Sequence, residues 1–280
     1  MEVLRVSGLT KRYPAFTLDR VSFSLEKGYI MGFIGRNGAG KTTTLKAILG
    51  LVHPDEGEVA ICGHDFCAEE WMARRSVGAA FGGVDYYPRE KLSTIAKVTA
   101  RFYDTWDDVA FRRYLERFEL DPNKRVKELS AGMRVKFSLA LALSHQAKLL
   151  LLDEPTSGLD PVSRDDLIAL FQQIIAGGEH SILFSTHITS DLEKCADFVT
   201  FIRNGQMIKS ADTESFLEDY RLVRGRSGQL TPELQALLHG VRPNAFGFTA
   251  LMDAKDLPAA EGLETAPANL ESVMIYLDKE

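Results

Sequence analysis

The sequence predicts an α/β protein built on a mainly parallel β-sheet. Strand-like segments alternate with segments of helical periodicity along most of the chain, which is the pattern of a parallel sheet with helical crossovers. Several strand-like segments are apolar throughout, as expected of strands buried on both faces. The 280 residues, 45% of them hydrophobic, suffice for one large domain or two modest ones.

The N-terminal part of the chain predicts strands followed by one helix. EVLRV and VSFSLEKG alternate apolar and polar residues, and YIMGFIG, residues 29–35, is a continuous apolar run typical of a buried strand. KTTTLKAILGLV has helical periodicity and is expected to end between Gly50 and Pro54. EVAICG and SVGAAFG predict two further strands.

A helical insertion is predicted at about residues 84–148. Its helices are STIAKVTARFYD, DDVAFRRYLERFEL and LSAGMRVKFSLALALSHQ, the last opened by Ser130. KLLLLDE and SILFSTH then predict buried strands on either side of DPVSRDDLIALFQQII, a helix expected to have Asp160 as its N-cap and Pro161 as its first residue. FVTFIRNGQMIKS predicts a hairpin that turns at Asn204-Gly205.

We expect residues 1–220 to form one domain and residues 221–280 to form a small C-terminal extension, in which VRGRSGQLTPE is linker-like. The net charge of −6 argues against nonspecific binding to nucleic acid, which relies on Lys and Arg to neutralise phosphates. We see no signal-peptide pattern and no apolar run approaching the roughly 20 residues that span a bilayer. If the protein acts at a membrane, another chain must hold it there.

GRNGAGKTT, residues 35–43, fits the pattern G-x-x-x-x-G-K-[ST] and lies between a predicted buried strand and a helix. The backbone N–H groups of such a loop and the helix N-terminus bind polyphosphate, whereas a glycine-rich turn without this role is the alternative. Lys41 is expected to reach the β- and γ-phosphates, and the Thr42 hydroxyl to bind Mg²⁺. The predicted nucleotide-binding residues are Gly35, Arg36, Asn37, Gly38, Ala39, Gly40, Lys41, Thr42 and Thr43.

LLLLDE ends a predicted buried strand in two acids. Asp153 is placed to hold Mg²⁺ through its water shell, and Glu154 is placed to polarise an attacking water. Two solvated acids at a strand end are the alternative. The phosphate loop and these acids together would also suit a kinase or a GTPase.

Three more motifs, in order, carry a family resemblance. LSAGM, residues 129–133, precedes the acidic strand; SGLD, residues 157–160, follows it; and His187 ends the SILFSTH strand. With the phosphate loop, this order resembles the ATP-binding cassette family, the nucleotide-binding subunits of ABC transporters, over about residues 1–220. The resemblance implies a P-loop NTPase fold with an antiparallel β subdomain and a helical subdomain beside the parallel core. LSxGM before a leucine-rich helix is similar to the ABC-2 type subgroup, whose members mostly drive export.

The resemblance also implies roles for matching positions. LSAGM departs from the family signature LSGGQ at two positions, and the signature contacts ATP held by a second cassette; its residues here are Leu129, Ser130, Ala131, Gly132 and Met133. The D-loop, which communicates between the two cassettes, corresponds to Ser157, Gly158, Leu159 and Asp160. His187 matches the histidine that contacts the γ-phosphate. Tyr13 matches the aromatic residue that stacks on adenine. Without the resemblance, the favoured interpretation is that Tyr13 packs on the sheet edge.

The stretch VGAAFGG, residues 77–83, departs from the family. Alignment of its strand places Gly82 at the Q-loop position, where the family has a glutamine that touches Mg²⁺ and the attacking water. Gly82 has no side chain to do this, and glycines are conformationally permissive. We therefore expect the longer stretch VGAAFGGVDYYPRE, residues 77–90, to be a coupling hinge and permease-docking site, with weakened direct sensing of the γ-phosphate.

Taken with its motifs, the resemblance implies an ATP-hydrolysing transporter subunit with ATP and Mg²⁺ as cofactors. It would pair with a second cassette and power export through a separate transmembrane permease at the cytoplasmic face of the cell membrane. A soluble cassette ATPase acting on ribosomes or DNA is the alternative, and a metabolic kinase would have no use for LSAGM or His187. The extension could regulate, aid dimerisation or cover a sheet edge.

Overall fold

The computed structural model describes residues 1–81 and 87–278 and is dominated by a ten-stranded sheet. The order of its strands across the sheet is β5-β4-β1-β2-β10-β9-β3-β8-β7-β6. In chain order they are β1 (Glu2–Tyr13), β2 (Phe16–Glu26), β3 (Ile30–Ile34), β4 (Glu56–Ile61), β5 (His64–Asp65), β6 (Val77–Phe81), β7 (Leu149–Asp153), β8 (Ser181–Thr186), β9 (Phe198–Arg203) and β10 (Gln206–Asp212).

One half of this sheet is parallel and the other is mainly antiparallel. β9, β3, β8, β7 and β6 are parallel neighbours, and every residue of β3, β7 and β8 is buried. β1 pairs antiparallel with β2 and β4, and β10 pairs antiparallel with β9. The predicted mainly parallel core with an antiparallel β part is therefore confirmed.

Helices cover the sheet and fill the connections between strands. They are α1 (Lys41–Ile48), α2 (Glu70–Arg75), α3 (Leu92–Thr99), α4 (Asp108–Arg117), α5 (Ala131–Ser144), α6 (Pro161–Ile175), α7 (Thr189–Cys195), α8 (Thr213–Glu218), α9 (Pro232–Gln235) and α10 (Leu270–Leu277). In the described parts of the chain, no helix combines the length and the apolarity that a membrane span requires.

Helices α3 to α5 lie between β6 and β7, in the region predicted to be a helical insertion. Helix α5 is seated directly on β6: a Cβ on Gly78 would lie 2.2 Å from the Cβ of Ala142. Only glycine permits this approach of helix to strand. The insertion is thereby fixed to β6. The exact domain boundaries stay a prediction.

The C-terminal region forms a second, four-stranded antiparallel sheet of order β12-β13-β11-β14. Its strands are β11 (Tyr220–Gly225), β12 (Leu238–Asn244), β13 (Gly247–Asp253) and β14 (Glu264–Pro267). The linker-like interpretation of VRGRSGQLTPE is wrong at its start, because Val223 lies in β11 and is fully buried in this sheet's own apolar cluster. The strand was not predicted from composition because its charged residues Arg221 and Arg224 are typical of a linker.

The stability of the helical region should depend on pH through His145, which ends α5. His145 is 3% exposed, and its ring stacks on that of Tyr103 with ring centroids 3.8 Å apart. Burial lowers the pKa of His145 from 6.5 to about 4. As the pH falls, His145 is therefore protonated in the unfolded chain before it is protonated in the folded chain. The contribution of neutral His145 to the free energy of unfolding is complete above about pH 6.5 and is lost as the pH falls toward 4.

We expect the free energy of unfolding to fall by about 2 kcal/mol more in the parent than in His145→Phe between about pH 7.5 and about pH 5. Phenylalanine keeps a ring beside Tyr103 and cannot titrate. Urea unfolding of both proteins at the two pH values measures the difference. If the free energy of unfolding falls equally in the two proteins, the pKa of His145 is not lowered in the folded state.

Candidate functional site

The predicted phosphate loop joins β3 to α1 and needs glycine at both ends. Gly40 has φ of 112°, a left-handed conformation, and a Cβ there would lie 3.0 Å from the Phe16 ring. A Cβ on Gly35 would lie 2.4 Å from the carbonyl oxygen of Ile202. Between them, the Ala39 N–H donates to the Arg36 carbonyl at 3.0 Å, and residues 36–38 are exposed. The loop is thus pressed against β2 and β9 while its tip faces solvent.

Lys41, at the first position of α1, is a buried cation. Its side chain is 5% exposed, and its Nζ donates to the carbonyl oxygens of Gly35 at 2.7 Å and Arg36 at 3.2 Å. The Oε1 atom of Glu154 lies 3.3 Å from the same nitrogen. A buried ammonium requires such partners, so the loop and the acidic strand end are joined through Lys41.

Thr42 and Asp153 are brought together as predicted for a Mg²⁺ site. The Thr42 hydroxyl donates to Asp153 Oδ2 at 2.8 Å, and Asp153 is buried. Its Oδ1 also accepts a hydrogen bond from the Ser185 hydroxyl at 2.6 Å. Ser185 was missed at the sequence level, where its signal is a small polar residue within the apolar run of β8.

Glu154 adopts an unusual backbone conformation that aims its carboxylate. Its φ is 50°, a left-handed value that costs a non-glycine residue roughly 1–2 kcal/mol. Its N–H is held by Ser185, through Oγ at 3.0 Å and through the backbone carbonyl at 3.1 Å. Its Oε2 lies 2.8 Å from Nδ1 of His187, whose side chain is 41% exposed. Glu154 therefore bridges the buried Lys41 and the accessible His187.

The oxygen donors present fit Mg²⁺, which prefers such ligands and commonly takes one or two from the protein and the rest from water and phosphate. Thr42 and Asp153 supply these two. Among residues 1–81 and 87–278, no group of three or more His, Cys, Asp or Glu side chains is arranged to hold a metal ion by itself.

The predicted signature, residues 129–133, and the predicted D-loop, residues 157–160, lie next to each other. The Ser130 hydroxyl caps α5 by accepting from the Met133 N–H at 3.3 Å. A Cβ on Gly132 would meet Leu159 at 3.5 Å, and Leu129 is buried beneath. Ser130, Ala131, Ser157, Gly158 and Asp160 are all exposed. The two segments form one accessible surface.

Asp160 caps α6 as predicted. Its Oδ1 accepts from the N–H groups of Val162 at 3.0 Å and Ser163 at 3.1 Å. The Ser163 hydroxyl donates to Oδ2 at 2.6 Å, and this hydrogen bond is the main reason that the pKa of Asp160 is lowered. Its expected role in communication between two cassettes stays a prediction.

An unpredicted pair of charged residues links the D-loop to the segment that carries His187. Arg164 Nη2 donates to the Leu159 carbonyl at 3.4 Å, and Arg164 Nε lies 4.0 Å from Oδ1 of Asp191. Asp191 is 2% exposed and lies on α7, which begins two residues after His187. Opposite charges on the two segments therefore lie close together.

Two further predicted positions lie at the margins of the site. Tyr13 ends β1 with 41% of its surface exposed, and its ring centroid is 6.4 Å from that of Phe16, which abuts Gly40. It therefore lies beside the phosphate loop with an accessible ring. The Q-loop position, Gly82, and its neighbour Gly83 lie outside the described residues, so the hinge stays a prediction.

Comparisons with known proteins agree with this geometry. The family model described as ABC transporter matches residues 18–157. The Nod factor export ATP-binding protein I of Ralstonia nicotianae is 34% identical over an alignment 303 positions long, covering 98% of this chain and 93% of that protein. The bacitracin transport ATP-binding protein BcrA of Bacillus licheniformis is 31% identical over 210 residues, covering 74% and 69%.

Solved structures give the same result. An ATP-binding subunit of an ABC transporter superposes with a TM-score of 0.68 at 27% identity, over 76% of this chain and 91% of that chain. The ADP conformation of an ATP-binding cassette superposes with a TM-score of 0.65 at 25% identity, over 77% and 92%. The expected resemblance is thereby confirmed, and the chain belongs to the ATP-binding, ATP-hydrolysing proteins of the ABC transporter family.

Proposed function

We propose that this chain binds ATP with Mg²⁺ between two cassettes and hydrolyses it to drive export through a separate permease. The observation that carries the proposal is the convergence of Lys41, Thr42, Asp153, Glu154 and His187 at the carboxyl ends of β3, β7 and β8. The names of relatives that export Nod factor or transport bacitracin support the transporter over a soluble ATPase acting on ribosomes or DNA.

In the proposed reaction, Lys41 turns from the Gly35 and Arg36 carbonyls toward the β- and γ-phosphates, whose charge replaces that of Glu154 as its counter-ion. Glu154 is then free to orient the attacking water and to accept its proton as the water oxygen bonds to the γ-phosphorus. The bond between that phosphorus and the β–γ bridging oxygen breaks, ADP leaves, and His187 holds the γ-phosphate end. Bound Mg²⁺, held by Thr42 and Asp153, would neutralise charge on the phosphate oxygens. Preorganised donors around the phosphates account for most of the catalysis in such sites.

The exposed surface of Ser130, Ala131, Gly158 and Asp160 supports closure against a second cassette. Ser130 and the first N–H groups of α5 form a helix N-terminus, which favours an anion. We propose that it contacts ATP held by the other cassette, and that Met133 makes this contact without the hydrogen bond that a glutamine would offer. Homodimers and heterodimers both fit this surface.

Glu154→Gln should lower the rate of ATP hydrolysis by about 10²- to 10⁴-fold, because the variant loses a general base. ATP binding should persist, since Lys41 and the loop are unchanged, and an ATP-bound dimer should accumulate. Phosphate release and gel filtration with ATP and Mg²⁺ measure both effects.

The matched control is Glu179→Gln, which removes an exposed acid that pairs with Lys27 and should leave hydrolysis unchanged. Lys41→Ala should lose nucleotide binding. Parental hydrolysis by the Glu154→Gln protein would overturn the role given to Glu154, and normal activity of Lys41→Ala would overturn the phosphate site.

The permease should dock on an apolar surface next to the end of β6. A cavity of about 440 Å³ there is lined by Leu51, Phe81, Lys46 and others. Leu51 is 59% exposed, and Trp71 on the adjoining α2 is 58% exposed. Apolar groups of this size beside a groove are typical of protein interaction sites. We propose that a cytoplasmic helix of the permease, apolar on one face, fills this groove and holds the chain peripherally at the membrane.

Leu51→Glu should weaken this association by about ten-fold or more, because it replaces an apolar contact with a charged side chain that the permease helix would have to desolvate. ATP binding by the isolated chain should be unchanged. Co-purification with the permease from detergent-solubilised membranes, followed by ATP-driven transport in vesicles, measures the loss.

Phe246→Glu is the control, because Phe246 is 91% exposed on the turn between β12 and β13 and lies outside the proposed groove. Equal retention of the permease by Leu51→Glu and the parent would place the docking surface elsewhere.

A further inference from the structure

The C-terminal helix α10 is built into the cassette. Leu270, Val273, Tyr276 and Leu277 lie on one face at helical spacing and are 0–8% exposed. They belong to the same apolar cluster as Leu192 of α7 and Phe216 of α8. A Cβ on Gly240 of β12 would lie 2.5 Å from the Tyr276 carbonyl, so the helix is also held closely by the C-terminal sheet. This helix has a fixed position relative to both.

Each end of α10 contacts a segment of the nucleotide site. At its start, the Leu270 N–H donates to Oε1 of Glu193 at 2.8 Å, and Glu193 lies on α7, shortly after His187. At its end, the Arg203 guanidinium at the end of β9 donates to the Leu277 carbonyl. One residue later, Asp278 Oδ2 lies 2.8 Å from Nη1 of Arg36.

The contact with Arg36 reaches the phosphate loop itself. The Arg36 carbonyl accepts from Lys41 Nζ at 3.2 Å and from the Ala39 N–H at 3.0 Å, so this residue opens the turn that forms the loop. Its side chain is 71% exposed, whereas that of Asp278 is 13% exposed. Asp278 is therefore the less exposed partner, and the pair restricts the long, exposed side chain of Arg36.

We infer that Asp278 is a positioning residue for nucleotide binding, acting through Arg36. The ion pair anchors the first turn of the phosphate loop to a buried helix, so that less conformational freedom remains to be lost when the polyphosphate binds. The inference rests on the proposed ATP site and adds to it a role for the C-terminal extension, which supplies the anchor.

Charge and anchoring predict opposite signs, which makes the inference testable. If Asp278 acted only through its charge, removing it would leave the Arg36 cation free for phosphate, and ATP would bind more tightly. If it acts as an anchor, both Asp278→Asn and Arg36→Ala weaken ATP binding, and the double variant is no weaker than Arg36→Ala alone.

The test is titration of the full chain with a fluorescent ATP analogue in the presence of Mg²⁺. We expect Asp278→Asn to raise the Kd about two- to five-fold, the range that exposed ion pairs support, and Asp278→Glu to restore most of the affinity. The control Glu264→Gln breaks an exposed pair with Arg224 in the same extension and should leave the Kd unchanged. Urea unfolding should show that these variants are folded and lose no more stability than one exposed ion pair provides, which separates anchoring from a general loss of fold.

A Kd for Asp278→Asn equal to or below the parental value, or effects of the two substitutions that simply add, would overturn the inference. A parent that binds no ATP would instead overturn the proposed function. Lys41→Ala sets the baseline for lost binding, so the two failures are distinguishable.

Discussion

The burial of the Lys41 ammonium is the constraint on which the rest of the site depends. A cation that is 5% exposed is tolerated only where carbonyl and carboxylate oxygens surround it. The loop between Gly35 and Gly40 folds so that two of its carbonyls meet this cation, and Glu154 supplies the balancing charge. A polyphosphate can replace Glu154 as the partner of Lys41, because the carboxylate and the phosphates both offer negatively charged oxygen atoms.

The register of the parallel strands brings the remaining groups within reach. β3 pairs with β8 up to Ile34 and Thr186, and β7 pairs with β8 up to Asp153 and Ser185. The residues that follow these strands must therefore emerge side by side at one edge of the sheet, which is where ligands bind in open α/β sheets. The left-handed backbone of Glu154 then turns its carboxylate back toward Lys41 and His187.

The parts of the molecule that sequence predicts well are those where local pattern and tertiary role coincide. The apolar runs of β3, β7 and β8, the Ser130 and Asp160 caps and the Asn204-Gly205 hairpin are all as expected, since each is set by nearby residues. Ser185, Asp191 and Asp278 were missed because their partners are distant in the chain, at separations that no local pattern encodes. The short helices α2 and α7 carry too few residues to show a clear period.

The C-terminal sheet was likewise not predicted from local sequence pattern. Its packing also affects how the extension and the cassette act together. β11 begins at Tyr220, which shares the main apolar cluster with α10, so the extension packs on the cassette at their junction in addition to having its own apolar cluster. Coupling between two such sites is reciprocal: if α10 favours the nucleotide-bound form of the loop by some factor, nucleotide must favour the docked form of α10 by the same factor. Whatever binds the C-terminal sheet and shifts α10 would then change ATP affinity, and ATP would change the affinity of that partner. An anchor between Asp278 and Arg36 is thus also a route by which the state of the phosphate loop reaches the extension.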